Sequence, residues 1–247
     1  EEKTITIARK HFAFDFSIVF YDVTTLYFES LKEDEFKKTG FSKDNKPNQP
    51  QIVIGLIVTR EGFPVYYEVF EGDAFEGHTF IPTICTFKDA YKIQTLTVVA
   101  DAAMISLDNV EKLAANGLSY IVGARVANLT HKQIKEISHK LNSVDGETYR
   151  IETERGLLVC EFSHKRYQKD KREMEKQITK ADKLLVHNKA LKRTKFIKTV
   201  GKTKQIINTT LIEKTKLLLG IKGYYTNLAD INDAAIITQY HNLWHIE

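Results

Sequence analysis

The chain has 247 residues, 43% of them hydrophobic and only 4 of them proline, so it can bury a large core and is not a disordered polypeptide. No apolar run approaches the ~20 residues of a membrane span, the charged and aromatic start is no signal peptide, and Cys85 and Cys160 have no Cys-x-x-Cys partner. These features point to the cytoplasm and away from membranes, a disulfide framework or a thiolate zinc site. The net charge of +4 is uneven: Lys165–Lys204 holds 15 Lys or Arg against 4 Asp or Glu, a surplus of +11, and the remainder carries −7. Such a block suits either a phosphate backbone or a solvated helix face.

Residues 1–16 read as a lead-in. Ser17–Val23 is a β-branched and aromatic run that predicts a buried strand, yet it contains Asp22, a residue type depleted in strands. A turn-rich loop ends in Lys43–Pro50. Gln51–Val58 and Pro64–Phe70 then predict a hairpin with Gly62 at its turn. Gly72–Thr79 reads as a polar connection, Phe80–Tyr91 as a helix and Leu96–Ala100 as a strand ending on Asp101. Ser106–Asn116 predicts a helix with Leu107, Val110, Leu113 and Ala114 on one face, and Ser119–Gly123 a further strand. Three strands, helix, strand, helix, strand predict an α/β layer architecture with the fourth strand beside the first.

From Asn128 the character changes. Thr130–Leu141 predicts a short helix, Tyr149–Phe162 a hairpin around Glu154-Arg155-Gly156, and Ser163–Lys192 a long charged helix with Tyr167, Met174, Ile178, Leu184 and Leu185 as a thin apolar stripe. Phe196–Ile212 reads as β structure with Gly201 at a turn. The expected layout is thus a core over 17–127 and 216–247, interrupted by an insertion over 128–215. The core resumes at Ile221–Asn227, and a last helix starts near Asp230 as its N-cap. On it Ile236, Tyr240, Leu243 and Glu247 share one face.

Asp22, Asp101 and Glu247 are therefore three acids aimed at apolar surroundings. Each alone has an ordinary role open to it: an edge-strand residue, a turn cap, a solvated helix acid. Together they would repel one another unless a cation lay between them. Hard oxygen donors favour Mg²⁺ or Mn²⁺, and two such ions suit phosphodiester cleavage. No Gly-x-Gly-x-x-Gly, Walker-type Gly-Lys-Ser/Thr or Gly-x-Ser-x-Gly occurs. His241 and His245 stand four apart, but Glu247 lies about 120° from His241 around the helix, so the three make no single-face zinc site. Trp244 reads as core or as an aromatic that stacks a base beside a DNA channel.

Tyr21-Asp22-Val23-Thr24-Thr25-Leu26-Tyr27-Phe28, Gly62-Phe63-Pro64, Phe70–Thr79, Val98-Val99-Ala100-Asp101 and Gly223–Asn227, ending in Tyr240–Glu247, resemble bacterial insertion-sequence transposases of the DDE type with a β-rich insertion between the second Asp and the Glu. The resemblance implies a ribonuclease H-like mixed sheet with flanking helices, in which Asp22, Asp101 and Glu247 are catalytic metal ligands. It also implies cutting of double-stranded DNA at transposon ends, joining of the freed 3′-hydroxyl to target DNA, and a homodimer in the DNA complex. Candidate DNA contacts are Tyr240, Trp244, Lys165, Arg166, Lys169 and Arg172. In the family's Tyr-x-x-Arg-x-x-x-Glu-x6-Lys signature Tyr240 and Glu247 match, Leu243 replaces the Arg, and the Lys position lies past the last residue. The expectation is a catalytic-core fragment. Its alternatives are a stand-alone metal-dependent nuclease of the same fold and a non-catalytic DNA-binding remnant.

Overall fold

A computed structural model describes residues 3, 6, 7, 10, 11, 16–42, 44–141, 144–186, 194–201 and 204–246. Most of the expected lead-in lies outside them. β1 (Ile18–Tyr27), β2 (Gln51–Thr59) and β3 (Pro64–Glu71) form an antiparallel meander. Gly62 turns the β2–β3 hairpin with φ +82°, a left-handed conformation that glycine adopts without a Cβ penalty. Helix α1 (Glu76–Ala90) leads to β4 (Thr97–Ala100), which pairs parallel with β1 as expected from the strand order. Helix α2 (Leu107–Ala115) leads to β5 (Ser119–Ala124), parallel to β4.

The later elements are α3 (His131–Lys140), β6 (Thr148–Thr153), β7 (Gly156–Phe162), α4 (His164–Val186), β8 (Ile197–Val200), β9 (Lys204–Ile207), α5 (Thr209–Lys216), β10 (Ile221–Thr226) and α6 (Asp233–His241). Sheet order is β3-β2-β1-β4-β5-β10-β7-β6, with β8 and β9 in a separate pair. An antiparallel meander followed by two parallel strands in the order 3-2-1-4-5 is the ribonuclease H-like arrangement.

The chain divides into two compact units: Glu1–Ala124, Glu152–Leu158 and Tyr224–Glu247 form the first, Arg125–Ile151 and Val159–Gly223 the second. In the first, Val19, Phe20, Tyr21, Ile57, Val98, Val99, Ala100 and Val122 are fully or almost fully buried. One sheet face is covered by α1. There the Tyr21 ring lies 5.1 Å from Phe80, and its hydroxyl is 2.6 Å from Thr79 Oγ1. Burial pushes the Tyr21 hydroxyl far above its ordinary pKa, so it stays protonated. Gly55 is small for the same reason, since a Cβ there would stand 2.6 Å from the Tyr21 hydroxyl. In the second unit α4 lays Tyr167, Met174, Ile178 and Ala181 on a core made with Phe196, Ile212 and Leu219.

Four expectations change. Helix α1 starts at Glu76, one turn into the stretch read as a connection, and Thr79 donates its hydroxyl to Glu76 O at 2.7 Å. On α2 Leu107 and Ala114 are exposed, and the inward polar residue is Asn109, whose Nδ2 donates to Gly77 O and Met104 O. Residues 209–212, the end of the stretch read as β, are helical and begin a helix that runs to Lys216, because Asn208 caps it by accepting from Leu211 N. The last helix is capped by Asn232, not Asp230, through a 2.8 Å bond from Ala235 N. Among the described residues no helix is long and apolar enough to cross a membrane.

Candidate active site

The β1–β4 register places two of the expected acids together. The last paired residues are Tyr21 and Ala100, and the residue after each is an aspartate, Asp22 within β1 and Asp101 just past the end of β4. Side chains alternate along a strand, so Asp22 points away from the α1 face that Tyr21 occupies. Both aspartates are half-buried. The β4–β5 register continues the row: Ala100 pairs with Val122, which puts Gly123 next in line after Asp101. Asp22 on β1, Asp101 at the end of β4 and Gly123 on β5 thus each follow one register row of three adjacent parallel strands.

Helix α6 packs over β4 and β5. Its half-buried Tyr240 packs against Tyr224 with ring centroids 4.7 Å apart and the rings tilted by 55°, and the Tyr240 hydroxyl reaches the row. A Cβ on Gly123 would lie 2.5 Å from that hydroxyl and 3.1 Å from Ala102 N, so the glycine leaves the space the phenol uses. Asp101 also caps its own turn, its Oδ1 accepting from Ala103 N at 2.6 Å. The turn-cap role weighed from sequence is therefore real. It orients the carboxylate and leaves Oδ2 for another partner.

After His241 the α-helix tightens into a 3-10 turn over Asn242–His245, so α-helical spacing holds only as far as His241 among the described residues. Ile236 and Leu243 are nevertheless buried. The turn rests on the β2–β3 hairpin, where a Cβ on Gly62 would meet His245 O at 3.2 Å. Glu247 lies outside the described residues. His241 Nε2 is 3.2 Å from the Tyr224 hydroxyl, and Trp244 is 64% exposed with its ring stacked 4.0 Å from His245. Trp244 is not a core residue.

Among the described residues no group of three His, Cys, Asp or Glu side chains is gathered to hold a metal ion. Asp22 and Asp101 supply two hard-oxygen donors that fit Mg²⁺ or Mn²⁺, short of a complete set without a third. Of the basic candidates, Lys165, Arg166, Lys169 and Arg172 are all exposed on α4 in the second unit. The Arg166 Nε lies 3.4 Å from Asp170 Oδ2.

The sequence matches the family described as "Transposase DDE domain" over residues 13–247. The chain belongs to this family. In this DDE domain Asp22 lies within β1 and Asp101 directly follows the last residue of β4. Two solved structures are similar to it. One is a piggyBac transposase synaptic complex with hairpin DNA, 10% identical, covering 93% of this chain and 38% of that one with a TM-score of 0.47. The other is a Mos1 transposase paired-end complex with the left transposon end, 11% identical, covering 48% of this chain and 38% of that one with a TM-score of 0.31. The DDE domain thus matches 38% of the length of either structure. A comparison with curated protein sequences found no significant match. Gly123 escaped the sequence reading because its role depends on a phenol more than 100 residues away.

Proposed function

We propose that this domain cuts double-stranded DNA at transposon ends and joins the freed 3′-hydroxyl to target DNA, working in the cytoplasm or nucleoid as a homodimer that brings two ends together. Asp22, Asp101 and Glu247 are the residues that would hold two Mg²⁺ or Mn²⁺ ions. The single observation that supports this reading is the placement of Asp22 and Asp101 one step beyond the Tyr21–Ala100 pair of adjacent parallel strands. Two carboxylates at neighbouring positions repel, and a divalent cation offsets that repulsion. Bound there, the ions would supply activation of an attacking water or hydroxyl and stabilisation of the leaving oxygen. The chain's own part is to aim the carboxylates. The Ala103 amide fixes the Asp101 rotamer, and α6 with Tyr240 covers the strands beside it.

The test is cleavage of end-containing duplex DNA in Mg²⁺ by Asp22→Asn, Asp101→Asn and Glu247→Gln. Each is expected to lower cleavage at least about 10³-fold, while duplex affinity stays within about twofold, since the missing effect is transition-state charge stabilisation. Cleavage surviving all three substitutions sinks the assignment. Strand transfer into a second duplex separates a transposase from a nuclease of the same fold.

A further inference from the structure

Helix α4 (His164–Val186) carries eight Lys or Arg against four Asp or Glu, and their order around the helix is not random. Lys165, Lys169, Arg172, Lys176, Lys180 and Lys183 follow one another at intervals of four, three, four, four and three residues. At about 100° per residue they fall within an arc of about 80°. All six are exposed. The buried residues Met174 and Ala181 lie on the opposite side, against Phe196, Ile212 and Leu219. Core packing therefore fixes which way the basic stripe faces.

A merely solvated helix would intersperse acids so that Glu or Asp precedes Lys or Arg by four residues. Here the residues four after Asp170, Glu173, Glu175 and Asp182 are Met174, Gln177, Thr179 and Val186; Glu173 stands three before Lys176 without forming an ion pair with it, and no acid falls inside the basic arc. None of the six stripe residues forms an ion pair with a described residue, whereas Arg166, outside the arc, lies 3.4 Å from Asp170, which also accepts from Gly220 N. The stripe runs for about 27 Å at 1.5 Å per residue. Six exposed cations in one line, none held in an ion pair with a described residue, match a polyanion with regularly spaced charges, as a duplex backbone presents.

We infer that the α4 stripe is a track for the phosphate backbone of duplex DNA, sequence-independent in its contacts. This rests on the transposase reading for the identity of the polyanion. It extends the sequence-based candidates to Lys176, Lys180 and Lys183 and removes Arg166, which serves the fold through Asp170.

The experiment compares two variants of the full chain that each lose four positive charges. One carries Lys169→Gln, Arg172→Gln, Lys176→Gln and Lys180→Gln. The other carries Lys132→Gln, Lys135→Gln, Lys140→Gln and Lys171→Gln, at exposed positions of α3 and α4 away from the stripe. Affinity for a random-sequence duplex of about 30 bp is measured between about 50 and 200 mM salt, with circular dichroism to verify the fold. The stripe variant is expected to lose at least about tenfold in affinity at 100 mM salt. Its slope of log affinity against log salt should shrink by up to about 3.6, at 0.9 per phosphate contact. The control should stay within about twofold.

Equal losses in both variants, an unchanged slope in the stripe variant, or no duplex binding by the unmodified chain would each overturn the inference. Asp22→Asn provides the separation from chemistry: it should abolish cleavage and leave the salt slope intact. A failed stripe and a failed active site are thus distinguishable.

Discussion

At the residue scale, the most constrained position in the candidate site is one with no side chain. Gly123 lies in line with Asp22 and Asp101, and the Tyr240 hydroxyl occupies the space a Cβ would need, 2.5 Å away. The other neighbour of that space is the backbone nitrogen of Ala102, which cannot swing aside as a side chain can. Gly123→Ala must therefore displace the phenol, at a cost of about 1–3 kcal/mol typical of overpacking. Removing the oxygen relieves the clash. Gly123→Ala combined with Tyr240→Phe should be more stable than the sum of the two single effects by at least about 0.5 kcal/mol, measured by urea denaturation. Additivity would mean the phenol is not held against Gly123. Asp22, by contrast, was legible from sequence because an acid inside a β-branched run conflicts with its surroundings. A glycine in a strand conflicts less and points to close approach without naming what approaches.

At the scale of elements, strand pairing was the most readable level. Alternating apolar runs and a glycine turn signal the β1–β2–β3 meander, and the parallel β1–β4 pair follows from short right-handed connections. Helix starts were harder. Asp230 and Asn232 are both good caps by residue type, and only the backbone decides that Asn232 takes the Ala235 amide. Thr209-Thr210-Leu211-Ile212 is β-branched and apolar enough to read as the end of a strand, yet Asn208 closes a helical turn on it. The Asn232 cap bears on the site because α6 packs on β4 and β5 and carries Tyr240. Asn232→Ala is expected to cost about 1 kcal/mol, since the Ala235 amide loses its acceptor. Asn232→Asp should recover most of it, because a carboxylate accepts the same bond and favours a helix N-terminus. Thermal denaturation of the three proteins checks the order; equal melting of Asn232→Ala and the parent protein would remove the cap from the account.

At the scale of the molecule, the fold was legible because its regularities are local, whereas the site is a convergence of distant segments that sequence can only suggest. Asp22 and Asp101 are 79 positions apart in the chain and become neighbours through one strand pairing. Electrostatics makes this neighbourhood measurable without any catalytic assay. Without divalent cation, two half-buried carboxylates at adjacent register positions disfavour the folded state, so Asp22→Asn should melt higher than the parent protein in chelator. With Mg²⁺ at about 100 times its dissociation constant, mass action adds about 2.7 kcal/mol to the parent protein. For a chain of this size that corresponds to a rise of about 5–11 °C, at about 2–4 °C per kcal/mol. The same Mg²⁺ should shift the Asp22→Asn and Asp101→Asn proteins by much less. The order of stabilities must therefore invert: the variants melt above the parent in chelator and below it in Mg²⁺. A melting temperature that rises equally in all three proteins would mean that Mg²⁺ binds elsewhere, and that the two aspartates are neighbours in the sheet without sharing a cation.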